Sequence, residues 1–302
     1  MAFKTYFLAT RPWSFPVSVM PVLVTTAGLF SMGYPVSWCM SLWAIVGIVL
    51  FHAAANALSD YYDYRRGVDA ADTYGSRTLV DGAMTDRQML RYAYVLFALA
   101  VLNGLAIAWV SSWNLLWIGA IGGLTAFFYS VLKFRALGDV DIFLNFGLLP
   151  AMGTAMVVVP DSSCCAVYTD ALWLVLAYVP ITNAVLHANN TRDIATDTRA
   201  RIHTVPMLIG VRASQIIYYI EVMLPVLWVV VCIIFGKLPW GALLIALSLP
   251  VAWRNCRTMA RLSTDKDAIN HLDEQTAQQQ LISSFLLIAG ILGSVGFIRF
   301  FG

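Results

Sequence analysis

The sequence predicts an all-α membrane protein, built as one polytopic bundle of nine transmembrane helices. Three observations carry that prediction. The 302 residues are 60% hydrophobic and only 12% charged, whereas soluble domains carry about 25% charged residues. Nine apolar stretches approach the roughly 20 residues that a helix needs to cross a bilayer. Counted in order, those stretches also leave nearly all basic residues on one side of the membrane. The length suits a single domain, residues 1–302, rather than two.

In chain order the stretches are 13–33, 38–58, 89–110, 113–131, 141–160, 171–190, 214–235, 238–256 and 280–300. Short turns adjoin the fourth and the eighth. With the N-terminus in the cytoplasm and sides alternating, Lys4 and Arg11 lie inside. So do Arg65, Arg66, Arg77, Arg87 and Arg91 after the second span, and Lys133 and Arg135 after the fourth. Arg192, Arg199, Arg201 and Arg212 follow the sixth, and Arg254, Arg257, Arg261 and Lys266 the eighth. That places 17 of the 19 basic residues in the cytoplasm, with only Lys237 and Arg299 outside. The expected location is an integral, multi-pass one, in a bacterial inner membrane, with the lipid bilayer as a partner. No nucleic-acid partner is expected; the net charge of +2 by itself says nothing about partners.

The five cysteines (39, 164, 165, 232 and 256) show neither metal spacing nor an even disulfide framework. Adjacent Cys164 and Cys165 suit neither an ordinary disulfide nor tetrahedral ligation. No cleavable signal peptide is expected, because the first apolar stretch is long and lacks a small-residue cleavage site.

Two clusters break the apolar pattern: Asn56-Ala-Leu-Ser-Asp60-Tyr-Tyr-Asp63 and Asn189-Asn190-Thr-Arg-Asp193-Ile-Ala-Thr-Asp197. A carboxylate at the middle of a membrane helix costs roughly 2.5–3.5 kcal/mol even on mild scales. Both clusters end a span on the cytoplasmic side and open a long loop, 59–88 or 191–213, of a length that usually serves function. On a helix Asn56, Asp60 and Asp63 share one face, and Asn189, Asp193 and Asp197 nearly do. The donors are all oxygens, which suits Mg²⁺ bound through carboxylates and substrate phosphates. Asp69 and Asp72 follow Gly67 and can swing back to the site. The bland alternative is two solvated helix ends. A cation carrier is the other, but carriers place ionic sites near the bilayer midplane beside broken helices. Arg65, Arg66, Arg77, Lys133 and Arg192 interleave with the acids, and their charge suits phosphate. With Mg²⁺ they would neutralise a diphosphate leaving group. Arg87, Arg91 and the 254–266 group are read as topology signals.

These residues resemble the UbiA superfamily of intramembrane prenyltransferases over essentially the whole chain. The first cluster, continued as Asp63-Tyr-Arg-Arg-Gly67-Val-Asp69, looks like its menaquinone (MenA-like) branch, which includes the animal enzyme that makes menaquinone-4. Supporting pieces are Arg11-Pro12-Trp-Ser-Phe-Pro16, Ser76-Arg77-Thr78-Leu79-Val80-Asp81, Lys133-Phe-Arg-Ala-Leu-Gly138-Asp139 and Asn189-Asn190-Thr-Arg-Asp193. The resemblance implies nine helices around a central cavity that holds Mg²⁺ and a polyprenyl diphosphate. It implies prenyl transfer to an aromatic acceptor, 1,4-dihydroxy-2-naphthoate, with loss of its carboxyl group and of diphosphate. By position, Asp63, Asp69, Asp193 and Asp197 would be the metal and catalytic carboxylates, helped by Asn56, Asp60, Asn189 and Asn190. Arg66, Arg77, Lys133 and Arg192 would hold the diphosphate, and Arg11 would face the acceptor. Other acceptors, hydroxybenzoate or a chlorin, remain open at this point, as does a carrier.

Two departures from the family pattern stand out. Ser59 occupies the place of a second Asn, and Arg201-Ile202 that of a Gly-Lys pair. Aromatic faces stabilise cations, and Tyr129 at the cytoplasmic end of its span is the aromatic singled out for the site. Glu221, His52 and His187 lie on spans and are read as polar packing or interhelical hydrogen bonds.

Overall fold

A computed structural model describes residues 2–69, 77–133, 135–160, 165–199 and 202–301. Asp72, Ser76, Cys164 and Arg201, singled out in the sequence, lie outside them. The described chain is helical, with one isolated bridge between Arg135 and His203.

Proline and glycine set the breaks. Helix α1 (Ala2–Ala9) and a single 3₁₀ turn, Pro12–Ser14, lead into α2 (Pro16–Ser31), bent from the first segment by 52°. Pro12 and Pro16 lack the N–H that would carry one helix through. Helix α3 (Trp38–Arg65) is capped by Ser37, whose Oγ accepts from the Met40 amide. After α4 (Arg77–Val80), α5 (Asp86–Val110) starts on a reciprocal Thr85–Gln88 capping box. Helix α6 (Leu115–Phe127) stops at Phe128, and α7 (Tyr129–Lys133) ends beside α8 (Gly138–Phe143). Leu144–Leu148 take π-helical geometry before α9 (Leu149–Val158), where Pro150 cannot bond back to the turn before it. Helix α10 (Cys165–Val175) meets α11 (Val179–Arg192) at 43°, with Pro180 in the first turn. Short helices α12 (Ile194–Arg199) and α13 (Val205–Ile209) precede α14 (Val211–Ile234). A 3₁₀ segment, Trp240–Ser248, then runs into α15 (Leu249–Arg261), and α16 (Leu272–Phe301) closes the chain.

Seven of the nine expected spans are found among the described residues. Five are continuous helical runs long and apolar enough to cross a membrane, one of them α8 through the π-helical turn to α9, and two are the bent pairs. The stretch 113–131 instead gives the 13-residue α6, cut short at Phe128. The stretch 238–256 gives 3₁₀ turns followed by α15, which starts at the Pro250 break. This is a multi-pass membrane bundle in which α3 packs on α5, while α11 packs on α14 and α16.

The main apolar core joins Val24, Ala155, Leu174, Val229, Ile245 and Leu287 from both halves of the chain. One contact there is closer than a side chain permits. A Cβ on Gly290 would stand 2.0 Å from the Gly241 carbonyl oxygen, so both positions need glycine for the 3₁₀ segment to lie on α16.

Candidate active site

Helix α3 runs unbroken through Arg65, which keeps Asn56, Asp60 and Asp63 on one face. Asp60 is fully buried, and the Arg11 guanidinium donates to its Oδ1. Arg11 holds a left-handed backbone with φ of 53°, a conformation that costs about 1–2 kcal/mol in a non-glycine residue. Asn56 donates from Nδ2 to the Thr10 carbonyl (3.0 Å) and to Ser14 Oγ (3.1 Å), so the amide ties the N-terminal segment to α3. Asp63 accepts from Ser59 Oγ at 3.3 Å. Its other oxygen, Oδ1, is buried without a hydrogen-bond partner. Ser59 therefore orients a carboxylate where the family pattern has an amide.

The end of α3 brings a further acid back. Gly67 has φ of 72°, its N–H bonds to the Tyr64 carbonyl (3.1 Å), and the Val68 N–H bonds to that of Asp63 (2.9 Å). This is the Schellman closure of a helix, which favours glycine at that position. The Asp69 N–H also reaches the Asp63 carbonyl, at 3.3 Å.

The second cluster sits on a broken helix. Asp193 caps α11, and α12 restarts with the Asp197 amide bonded to the Asp193 carbonyl at 2.8 Å. Arg192 is 8% exposed and grips both oxygens of Asp193, at 2.8 and 2.9 Å. It also donates to Asn189 Oδ1 (3.0 Å) and to Asp273 Oδ2 on α16 (2.7 Å). Asn190 is buried. Asp197 is buried too, and its Oδ2 has no hydrogen-bond partner.

Lys133 joins the two clusters. Burial alone would lower its pKa, but Asp63, Tyr129, Asp197 and Asp193 all act on its ammonium and hold the pKa above the usual value. Asp63 and Asp193 also act on Asp197, whose carboxyl is pushed up to about 6, chiefly by burial. Burial and then Asp63 raise Asp69 to about 7. Such mutual effects require the two helix ends to face one site. The half-buried Tyr129 stands one turn before Lys133 and feels Asp63 and Asp141. Two orphaned, buried carboxylate oxygens from opposite halves, with no nitrogen or sulfur donor, fit a hard divalent cation. Asp63 and Asp197 supply those oxygens, and Asp69 is within reach.

The remaining expected residues lie further out. Arg66 is exposed and stacks 5.8 Å from the Tyr62 ring centroid. Arg77 is half-exposed on α4 and pairs with Asp81 at 2.6 Å. His52 exchanges a 2.6 Å hydrogen bond with Ser18, as interhelical packing predicts. His187 lies in the core, as the packing arm of its reading has it: it is fully buried, and neither ring nitrogen has a hydrogen-bond partner. Asp273 was not legible as a site residue, because only the fold carries it to Arg192; Ser59 was legible as a departure from the family pattern, but its hydrogen bond to Asp63 was not. A cleft of about 770 Å³ between α15 and α16, lined by Arg254, Arg257 and Arg261, contains none of the site carboxylates.

The UbiA prenyltransferase family profile matches residues 18–272. The UbiA prenyltransferase domain-containing protein 1 of Danio rerio is 32% identical over 301 residues, covering 95% of this chain and 83% of that protein. Its Homo sapiens counterpart is 30% identical, covering 95% and 83%. A UbiA homologue from Aeropyrum pernix K1 superposes with a TM-score of 0.67 at 18% identity, over 92% of this chain and 98% of that one. The Archaeoglobus fulgidus homologue bound to DMAPP and Mg²⁺ gives a TM-score of 0.56 at 13% identity, over 94% and 99%. Since the profile covers most of the chain and the relatives align along nearly all of it, this protein belongs to the UbiA prenyltransferase family and is a prenyltransferase.

Proposed function

We propose that this enzyme transfers a polyprenyl group from its diphosphate to an aromatic carbon of 1,4-dihydroxy-2-naphthoate, with Mg²⁺, as a step of menaquinone biosynthesis. The observation that carries the reading is that Asp63 and Asp197, each with a partnerless buried oxygen, both act on the Lys133 ammonium. The fold neighbours bound to DMAPP or GPP with Mg²⁺ support it. The ordered motifs from Arg11 to Asp197 support the acceptor.

Asp63 and Asp197, with Asp69 and Asp193 beside them, would hold the cation from both halves of the chain. Bound there, Mg²⁺ supplies positive charge that stabilises the departing diphosphate. Lys133 meets the diphosphate as a point charge, and Arg192 fixes Asp193 and Asn189 around it. The allylic C–O bond breaks with its electron pair going to diphosphate. The new C–C bond draws on the ring, and the departing carbon dioxide returns a pair to it. Tyr129 offers an aromatic face to the allylic cation. Arg11 is 31% exposed, which leaves guanidinium donors beyond the Asp60 contact for the acceptor's carboxylate. The dry bundle keeps water from the cation.

In this reading, Leu115–Lys133 and Trp240–Arg261 each complete a crossing. The count is then nine, with N-terminus and site in the cytoplasm, a topology that the placement of 17 of 19 basic residues supports. The test is to incubate liposomes with labelled polyprenyl diphosphate and a panel of dihydroxynaphthoate, hydroxybenzoate and chlorin, then weigh the products. A decarboxylated prenyl-naphthalenediol is expected. Turnover of another acceptor alone sinks the naphthoate assignment, and solute flux without transfer sinks the transferase reading.

A further inference from the structure

Three ionisable side chains outside the carboxylate site meet within the bundle: Asp139 on α8, His187 on α11 and Glu221 on α14. One donor atom of each lies within 4.8 Å of the other two. His187 is fully buried, and neither Nδ1 nor Nε2 has a hydrogen-bond partner. Its Nδ1 stands 3.7 Å from Asp139 Oδ1. Glu221 Oε2 is likewise buried and partnerless, and among the described residues no basic side chain pairs with Glu221.

Such a group is costly as it stands. A buried polar atom without a partner costs about 1–3 kcal/mol, and ionisable groups within a membrane mark functional sites. In the metal-bound form two carboxylates and a neutral imidazole carry two negative charges, which one divalent ion cancels. The donors come from three separate helices, and the Asn183 amide donates to the Asp139 carbonyl (3.4 Å), bracing α11 against α8. The donor set is also unlike that of Asp63 and Asp197. Imidazole with carboxylate favours first-row transition metals, whereas all-oxygen sets favour Mg²⁺.

We infer that Asp139, His187 and Glu221 form a second metal site, specific for a transition cation of the Zn²⁺ class. Donors of a tetrahedral zinc ion stand about 3.4 Å apart, so closing the observed cluster takes only side-chain adjustment. Three protein ligands leave a fourth position for water. The ion would clamp α8, α11 and α14 together behind the segment that carries Asn189 and Asp193. It does not depend on the proposed acceptor or on Mg²⁺ catalysis.

The experiment loads the full chain in detergent with Zn²⁺ in excess Mg²⁺, desalts it, and measures metal content. Wild type and the Asp63→Asn, Asp197→Asn double variant should each keep about one Zn²⁺ per chain. His187→Gln and Glu221→Leu should lose at least about tenfold in retained Zn²⁺. Zn²⁺ should raise the melting temperature of wild type and leave those two variants unmoved. Glu221→Leu puts an apolar side chain into an apolar span, so it keeps the test alive if His187→Gln fails to fold. The zinc X-ray absorption spectrum of loaded wild type should show imidazole nitrogen, whatever the variants do. The inference is overturned if wild type retains no Zn²⁺, if both variants retain it fully, if it departs with Asp63 and Asp197, or if the spectrum shows only oxygen.

Discussion

The two carboxylate clusters of the proposed site stand on different scaffolds. The first stands on one unbroken helix, α3, and is locked by a residue from far upstream, since Arg11 in its left-handed conformation reaches Asp60. The second straddles a helix break and is locked from next door, where Arg192 grips Asp193 and anchors to Asp273. Yet each cluster ends with one carboxylate neutralised by an arginine and another with a buried oxygen unmatched, Asp63 Oδ1 and Asp197 Oδ2. Under the proposed function, two jobs that the sequence runs together, holding the site and binding the cation, fall to different residues.

That division can be broken in order of expected effect. Asp63→Asn and Asp197→Asn should each cut prenyl transfer at saturating substrate by roughly 10²–10³-fold, the scale of losing a group aimed at developing charge. If Asp60→Asn or Asp193→Asn cost as much while the fold holds, the two jobs are not separate. Arg11→Ala should come next. It strands the buried Asp60 carboxylate and should destabilise the protein by about 3 kcal/mol, read as a lower melting temperature in detergent. Arg192→Ala should do less to stability, because Asp193 and Asp273 keep partial access to water, and should act mainly on Mg²⁺ affinity.

Titration sharpens the comparison further. Asp69 and Asp197 are raised to about 7 and about 6. Without metal they keep their protons up to those values. The metal-free protein should therefore lose stability as pH rises from about 4, where these carboxyls ionise in the unfolded chain, until about 6 for Asp197 and about 7 for Asp69. Mg²⁺ should reverse that trend, and its apparent affinity should fall roughly tenfold per pH unit and displaced proton as pH drops below about 7. Calorimetric Mg²⁺ titrations between these limits check both signs. Gly67→Ala should have the smallest effect, about 1 kcal/mol for forcing a side chain into the positive-φ closure. Gly67→Asn, which tolerates that conformation, should recover much of the loss.

Much of this was legible in the sequence. The apolar stretches set the helices, the motif spacing picked out both clusters, and the run after Asp63 marked Gly67 as the turn that returns Asp69. The span count was less legible. Hydropathy treats 113–131 and 238–256 as ordinary crossings, but Phe128 stops one helix and 3₁₀ turns replace part of the other. Averaged apolarity does not register a local change of helix type. His187 and Glu221 each read as isolated polar residues, and nothing along the chain connects them to Asp139.

By itself, then, the sequence determined that this protein crosses a membrane as a helical bundle and carries two oxygen-rich clusters at helix ends. It could do so because apolar length and helical spacing are local properties, written in consecutive residues. Which acid is paired and which keeps an unmatched buried oxygen was decided by the tertiary structure alone. Arg11 must travel 49 positions to reach Asp60, and Arg192 must cross 81 to reach Asp273. Those partners exist only because burying the apolar faces of α3, α11 and α16 forces their polar ends together, where desolvation makes every unpaired oxygen count.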